Sequence, residues 1–568
     1  SEIINQIFKL NMKKLSFKSI ALASLAALTM VGCNSWKQMA KDYYTVTPDP
    51  LEVKGGKVSY NVNGQFPAMV FNKKCALELT PELVYANGKT PFPSVVYQGE
   101  KFPGNYTVVP YDEGKSVSYS ASTDYKPEMQ ESALWVKIKG MKGKKEKDLG
   151  SIKLADGVIT TALLVQNDFK AALAPSNFVR DTQATQSALI HFLVNSSYVR
   201  PAQLKTAGYL ALVQFVKESV KDSNLVINSV DFIGHASPEG EATLNENLSI
   251  DRAKAVEKYV EQVVKKAKIA GSDKSGFYSE KGEGADWDGF FELLANSNLS
   301  DKDMIKRTLD GEPLLATKEK TLKSLENTYA EIRNQLLPEL RRTEIKVNYT
   351  IIGKTDEQIL ALAKNDPSKL TANELQHAAS LTDNADEQLA FYKSAAALYP
   401  NDYRGYNNQA VILWAKGDKA AATALFEKAY NVDANAVTKN NIGAVKAVAG
   451  NNAAALDLFK ASDVAEATYN QGVLNIKAGN YAEAVAQMKG YNTFNAALAQ
   501  VLNGDQRAAI KTLEAAGCNC ASSAYLKAIA YARNGQNAKA KDALAEVAQK
   551  DAAMAAKAQK DLEFRNVK

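Results

Sequence analysis

Three groups of residues in this 568-residue chain carry types that could do chemistry. The first is Gly234-His235-Ala236-Ser237-Pro238-Glu239-Gly240, followed by Asn245, Leu248, Ser249 and Arg252. An arginine fork can grip a carboxylate through two parallel bonds, and such charge-assisted bonds are about twice as strong as neutral ones. Asn245 and Ser249 are of types that cap and order a helix start. The second is Cys33, which closes Met30-Val31-Gly32-Cys33 behind an apolar run from Ile20 to Met30. The third is Cys518-Asn519-Cys520. In an oxidising compartment this pair could close a strained disulfide, but buried free thiols are the expected state, and Cys75 reads as a small core residue. The three histidines, His191, His235 and His377, offer neither metal-ligand spacing nor a nucleophile with its base. No glycine-rich phosphate loop follows a strand and no Gly-x-Ser-x-Gly elbow occurs. The expectation is a protein that is not an enzyme and takes no metal or cofactor.

The elements that must position these residues begin with an export segment. Met12 is followed by Lys13, Lys14 and Lys18, then by an apolar run too short to cross a bilayer as a helix. Ending at Cys33, it resembles a lipoprotein signal with its lipobox. The resemblance implies that residues 1–32 are removed, with 1–11 an extension upstream of Met12, and that Cys33 is lipidated. Residues 33–50 then form a lipidated linker, with Thr47-Pro48-Asp49-Pro50 spacing the first domain from the membrane. Asn34 after the cysteine implies the outer membrane, and the lack of acidic residues in Asn34-Ser35-Trp36-Lys37-Gln38 implies a periplasm-facing protein. Removing four lysines and one glutamate lowers the formal charge from +6 to +3 (Lys+Arg 69−4, Asp+Glu 63−1). That near-neutral balance gives no support to nucleic-acid binding.

Residues 51–180 read as a β-sandwich, with alternating segments such as Val58–Val62 and Leu134–Lys139 separated by turns such as Asn63-Gly64 and Asn87-Gly88. Residues 186–352 read as strand, helix, strand, helix, a helical insertion at about 282–341, and a closing strand from Arg342. Residues 356–568 are alanine-rich and helical, with Gly417, Gly450, Gly479, Gly504 and Gly535 recurring every 25–33 residues between helices.

Two of these regions resemble known families. The run His235 to Glu239, then Asn245-x-x-Leu248-Ser249-x-x-Arg252-Ala253, is similar to the OmpA-like peptidoglycan-binding domain. That resemblance implies that Arg252 takes the carboxylate of diaminopimelate, with loop residues taking its ammonium. Where the family carries aspartate this chain has Ser237, which supplies no charge. Either Glu239 substitutes, or the domain keeps its fold and Arg252 bonds loop carbonyls. The small and large residues around Gly417 (Tyr406, Ala410, Leu413, Ala422, Phe426, Ala429) resemble tetratricopeptide (TPR) repeats, whose groove takes extended peptides or helices. The expected fold class is therefore multidomain: an N-terminal β-sandwich, a central α/β OmpA-like domain with a helical insertion, and a C-terminal all-α TPR solenoid. The expected partners are the outer membrane through the lipid, peptidoglycan through His235, Ser237, Glu239, Asn245 and Arg252, and an envelope protein in the groove. A scaffold for outer-membrane assembly or secretion with no wall affinity is the alternative. An envelope hydrolase has no residue constellation behind it.

Overall fold

The computed structural model describes residues 44–567. The export segment and Cys33 lie outside the described residues. The chain groups into two compact units: one joins the residues up to Ala174 with those from Pro400 onward, and the other is Pro175–Tyr399.

The first unit opens with two sheets. β1 (Tyr44–Thr47), β2 (Val53–Lys54), β3 (Lys57–Phe66) and β8 (Lys115–Asp124) form one, with β8 along one edge of β3 and β1 and β2 along the other. β4 (Cys75–Tyr85), β5 (Gly88–Pro91), β6 (Val95–Gly99), β7 (Thr107–Val109), β9 (Ser132–Lys142) and β10 (Lys145–Gly157) form the second. Alternation places Val58 and Tyr60 inward, against Leu83 and Leu134 of the other sheet, giving the expected sandwich core. Two boundaries differ from expectation. Tyr44–Thr47 pairs with β3, so these residues, expected to be linker, are a strand of the sheet. The sheets end at Gly157, and residues 165–174 run as an extended strap inside the helical repeats.

In the second unit a four-stranded sheet has the order β11-β14-β12-β13, built from β11 (Thr182–His191), β12 (Leu225–Ala236), β13 (Tyr278–Ala285) and β14 (Arg342–Ile351). β12 and β13 run parallel, and β14 lies antiparallel between β11 and β12. Helices α1 (Ala207–Ser219) and α2 (Ala242–Ala267) pack on the sheet through Leu212, Val216, Val256 and Val260 against Ile190, Phe232 and Val347. β13 is absent from the sequence reading, which began the insertion at 282. Its segment Tyr-Ser-Glu-Lys-Gly-Glu-Gly-Ala shows no apolar alternation, because it is an edge strand with largely exposed side chains. The insertion helices are α3 (Trp287–Asn296), α4 (Lys302–Asp310), α5 (Leu315–Lys323), α6 (Glu326–Gln335) and α7 (Leu337–Leu340). They close on their own core of Trp287, Phe290, Leu309 and Leu337. α8 (Asp356–Asn365), α9 (Ala372–Ser380) and α10 (Ala385–Leu398) belong to this unit rather than to the repeats. α8 and α9 start on capping boxes, Thr355 with Gln358 and Thr371 with Glu374.

The repeats are five helix hairpins: α11 (Tyr403–Ala415) with α12 (Lys419–Val432), α13 (Ala436–Val448) with α14 (Asn452–Lys460), α15 (Ala465–Ala478) with α16 (Tyr481–Gln487), α17 (Phe494–Leu502) with α18 (Gln506–Ala516), and α19 (Ala521–Arg533) with α20 (Asn537–Lys550). α21 (Ala552–Lys560) follows. The five glycines noted in the sequence sit at the hairpin turns with φ between 72° and 92°, a region that penalises any side chain. Buried alanines such as Ala410, Ala422, Ala444 and Ala455 bring paired helices close, and Trp414, Phe426 and Phe459 fill the space between. Cys518 and Cys520 depart from the expected buried thiols. They form a disulfide, with Cys518 exposed and Cys520 half-buried, whereas Cys75 is buried.

Candidate functional site

In the second unit, Gly234 on β12 and Gly282 on β13 let α2 settle onto the strands. A Cβ at Gly234 would lie 1.8 Å from the Ser249 carbonyl oxygen. That approach gathers His235, Ser237, Glu239, Asn245 and Arg252 around one loop. Asn245 holds the loop by donating to the carbonyls of Ser237 (3.2 Å) and Gly240 (2.8 Å). Ser249 accepts from the Gly284 amide at 3.0 Å.

Arg252 has no exposed surface. Its Nε donates to the Ser196 carbonyl (3.0 Å), Nη1 to His235 (2.8 Å) and Nη2 to Leu193 (3.2 Å), and its guanidinium lies 5.3 Å from the Phe192 ring centroid. Burial, and then the neighbouring Arg341 cation, bring its pKa down to about 10, with Glu239 opposing. It remains charged at neutral pH and its fork is directed at main chain. Glu239 is also engaged. It accepts from Arg341 Nη1 at 2.7 Å and from the Ser237 hydroxyl at 2.9 Å. Tyr329 of α6 reaches the same carboxylate, and burial followed by that negative charge raises its hydroxyl pKa. The two groups that would divide a zwitterion between them are thus both bonded within the protein.

His235 lies between two carboxylates, 3.8 Å from Asp286 and 3.4 Å from Glu344, each bonded to Arg342 (2.7 and 3.2 Å). Burial, then Arg342, lower its pKa below the ordinary 6.5 despite those carboxylates. His191 is lowered by burial in the same way. A buried histidine kept neutral in the fold takes up its proton more readily when unfolded. The stability it contributes is therefore present above pH 6.5 and lost as the pH falls from 6.5 towards the depressed folded value. A His235→Gln variant is expected to lose less melting temperature than the parent between pH 7.5 and 5.5, at roughly 2–4 °C per kcal/mol for a unit of this size. Thermal scans at the two pH values measure it, and equal losses in both proteins would contradict the assignment.

A second site, in the first unit, went unread in the sequence. The strap of residues 165–174 lies along the first helices of four hairpins, held by bidentate amide clamps. Asn495 accepts from the Gln166 amide (2.9 Å) and donates to its carbonyl (2.8 Å). Asn470 does the same to Lys170 (2.7 and 2.8 Å), Asn441 to Ala172 (2.7 and 2.9 Å) and Asn408 to Ala174 (2.8 and 3.1 Å). Each clamp pairs with both main-chain groups of one residue, as a neighbouring β-strand would. The clamped positions 170, 172 and 174 follow the period of an extended chain. Asn407 and Asn440 add bonds to the carbonyls of Ala172 (3.1 Å) and Lys170 (3.0 Å) and link the clamps to one another. Side chains fix the register. Asp168 accepts from Tyr469 and Asn495, both at 2.5 Å, Phe169 is buried against Phe459, and Trp414 donates to the Phe169 carbonyl at 3.1 Å. The groove expected to hold an envelope protein is filled by the chain itself. A signal for it was present: each clamp stands nine positions before its hairpin glycine (408 before 417, 441 before 450, 470 before 479, 495 before 504), and the fifth hairpin has Leu526 there.

Among the described residues no cluster of three or more His, Cys, Asp or Glu could hold a metal ion, and no helix is long and apolar enough to cross a membrane. No protein-family model matches the chain, and no curated protein matches it. Among solved structures it is similar to a tetratricopeptide repeat protein from Parabacteroides merdae ATCC 43184. The identity is 15%, over 34% of this chain and 85% of that one, with a TM-score of 0.26.

Proposed function

We propose that this chain is a non-enzymatic lipoprotein scaffold of the outer membrane, anchored through Cys33 and facing the periplasm. Its central domain is read as OmpA-like in fold and without affinity for peptidoglycan. The observation that carries the second half is the use of Arg252, whose three bonds all end on main-chain carbonyls. Three of its five N–H groups are so used, and with no exposed surface the side chain cannot turn its fork to a diaminopimelate carboxylate without breaking them. Freeing one would strip a buried carbonyl of its partner, at a cost of about 1–3 kcal/mol. The pairing of Glu239 with Arg341 engages the residue expected to substitute for the aspartate that Ser237 replaces. The filled groove supports a scaffold whose repeats organise its own first domain, with partners engaging other surfaces.

The test has two arms. Cells fed a clickable fatty acid are expected to label the full-length protein and not a Cys33→Ala variant. Purified mature protein mixed with isolated sacculi is expected to remain in the supernatant after centrifugation. Saturable sedimentation with sacculi would restore the wall-binding alternative, and loss of the lipid arm would remove the membrane assignment.

A further inference from the structure

Cys518-Asn519-Cys520 is used by neither the groove nor the α/β domain. It lies in the turn after α18, where Gly517 has φ 64°, and Cys520 is the residue that caps α19. The disulfide spans a sequence separation of two. In the chain-entropy account a cross-link stabilises in proportion to the logarithm of the loop it closes, so this one contributes close to the least a disulfide can. A merely structural role thus explains little of it.

The two sulfurs differ in setting. Cys518 is exposed and reachable by a thiol in solution. Cys520 is half-buried, and its Sγ lies 3.4 Å from the Ser522 hydroxyl. No side chain caps the first-turn amides of α19, a thirteen-residue helix whose N-cap residue is Cys520. Helix N-termini of this kind stabilise a thiolate and lower its pKa, which makes that sulfur the better leaving group. Next door, Lys550 donates to the Asn519 side chain and pairs with Glu546, leaving the exposed face of Cys518 open.

We propose that Cys518–Cys520 is an exchangeable disulfide that accepts two electrons from a cysteine pair of an unfolded polypeptide in an oxidising compartment. The thiolate of the incoming polypeptide attacks Sγ of Cys518. A mixed disulfide forms there, the Cys518–Cys520 bond breaks, and Cys520 leaves as a thiolate held by the α19 amides and Ser522. The second thiol of the polypeptide, on losing its proton, attacks the mixed disulfide, releases Cys518 as a thiolate and carries the new disulfide away. One dithiol is oxidised for each protein disulfide reduced, and the two protons lost by the polypeptide end on Cys518 and Cys520 or in solvent.

The test uses the full mature chain and an unstructured synthetic peptide with two cysteines, with reduced glutathione as a separate arm. Peptide oxidation is followed by mass after alkylation, and the protein thiols are mapped by digestion. One peptide disulfide per chain is expected, matched by two new thiols at 518 and 520, with none from a Cys518→Ser/Cys520→Ser variant. In a Cys520→Ser variant pre-activated at Cys518 as a mixed disulfide with a chromogenic thiol, a single-cysteine version of the peptide is expected to displace the chromogenic thiol and stall at Cys518, whereas the two-cysteine peptide is expected to leave oxidised. Exchange with glutathione but not with the peptide would overturn the substrate class. A disulfide inert to both, cysteines reduced in protein purified under oxidising conditions, or attack directed at Cys520 would each overturn the proposal.

Discussion

A double substitution of Asn441 and Asn470 by alanine is expected to free the strap and expose Lys170 to trypsin, while the parent protein resists cleavage there. Each change removes a clamp from a residue buried or half-buried in the groove. The amides of Ala172 and Lys170 lose their acceptors, whereas their carbonyls keep Asn407 and Asn440 as donors. An unsatisfied buried amide costs about 1–3 kcal/mol. The two clamps are also joined through Asn440, to which Asn470 donates at 3.0 Å and which donates to Asn441 at 2.9 Å, so the two losses are expected to couple rather than simply add. Counting the two amides alone, about 2–6 kcal/mol of the first unit's stability is at stake, read as an earlier urea midpoint and a new tryptic cut after Lys170. Asn503→Ala, on an exposed asparagine just after α17, is the matched control and should change stability by no more than about 0.5 kcal/mol.

The second large effect belongs to Arg252→Ala. A ligand-binding arginine on a surface loop can be removed at little cost to the fold. This one ties Leu193, Ser196 and His235 together from a fully buried position. Its removal leaves three carbonyls without those donors and a cavity of side-chain size, and a loss of about 3–5 kcal/mol is expected. Because the chain forms two units, the urea transition of the α/β unit should move and that of the repeat unit should stay. An unchanged transition in both, with wall binding lost, would make Arg252 a ligand residue after all.

Much of the architecture is legible in the residues. Alternation at Val58 and Tyr60 marks a half-buried strand, and the recurring glycines mark the hairpins because only glycine sits comfortably at their positive φ. The motif from His235 to Arg252 locates a strand, a loop and a helix start. What the sequence hides are bonds between distant residues. Glu239 looks free to point inward until Arg341, 102 residues later, is seen to hold it. The strap has no periodicity because its side chains do not decide its conformation; asparagines more than 230 residues away bond its main chain. On a helix those asparagines read as ordinary polar residues, and only their constant distance from the glycines sets them apart. β13 escaped for a related reason, since an edge strand with solvent on its side chains carries no hydrophobic pattern.

Hydrogen exchange at the amides of Gln166, Lys170, Ala172 and Ala174 in the full-length protein tests the filled groove most directly. Each of these N–H groups donates to an asparagine side chain. The account predicts that they exchange as slowly as the core of the repeat helices, and that the Asn441→Ala/Asn470→Ala protein loses this protection across the strap. Exchange at the rate of an unstructured peptide in the parent protein would mean that the groove is open, and the self-bound scaffold would have to be abandoned.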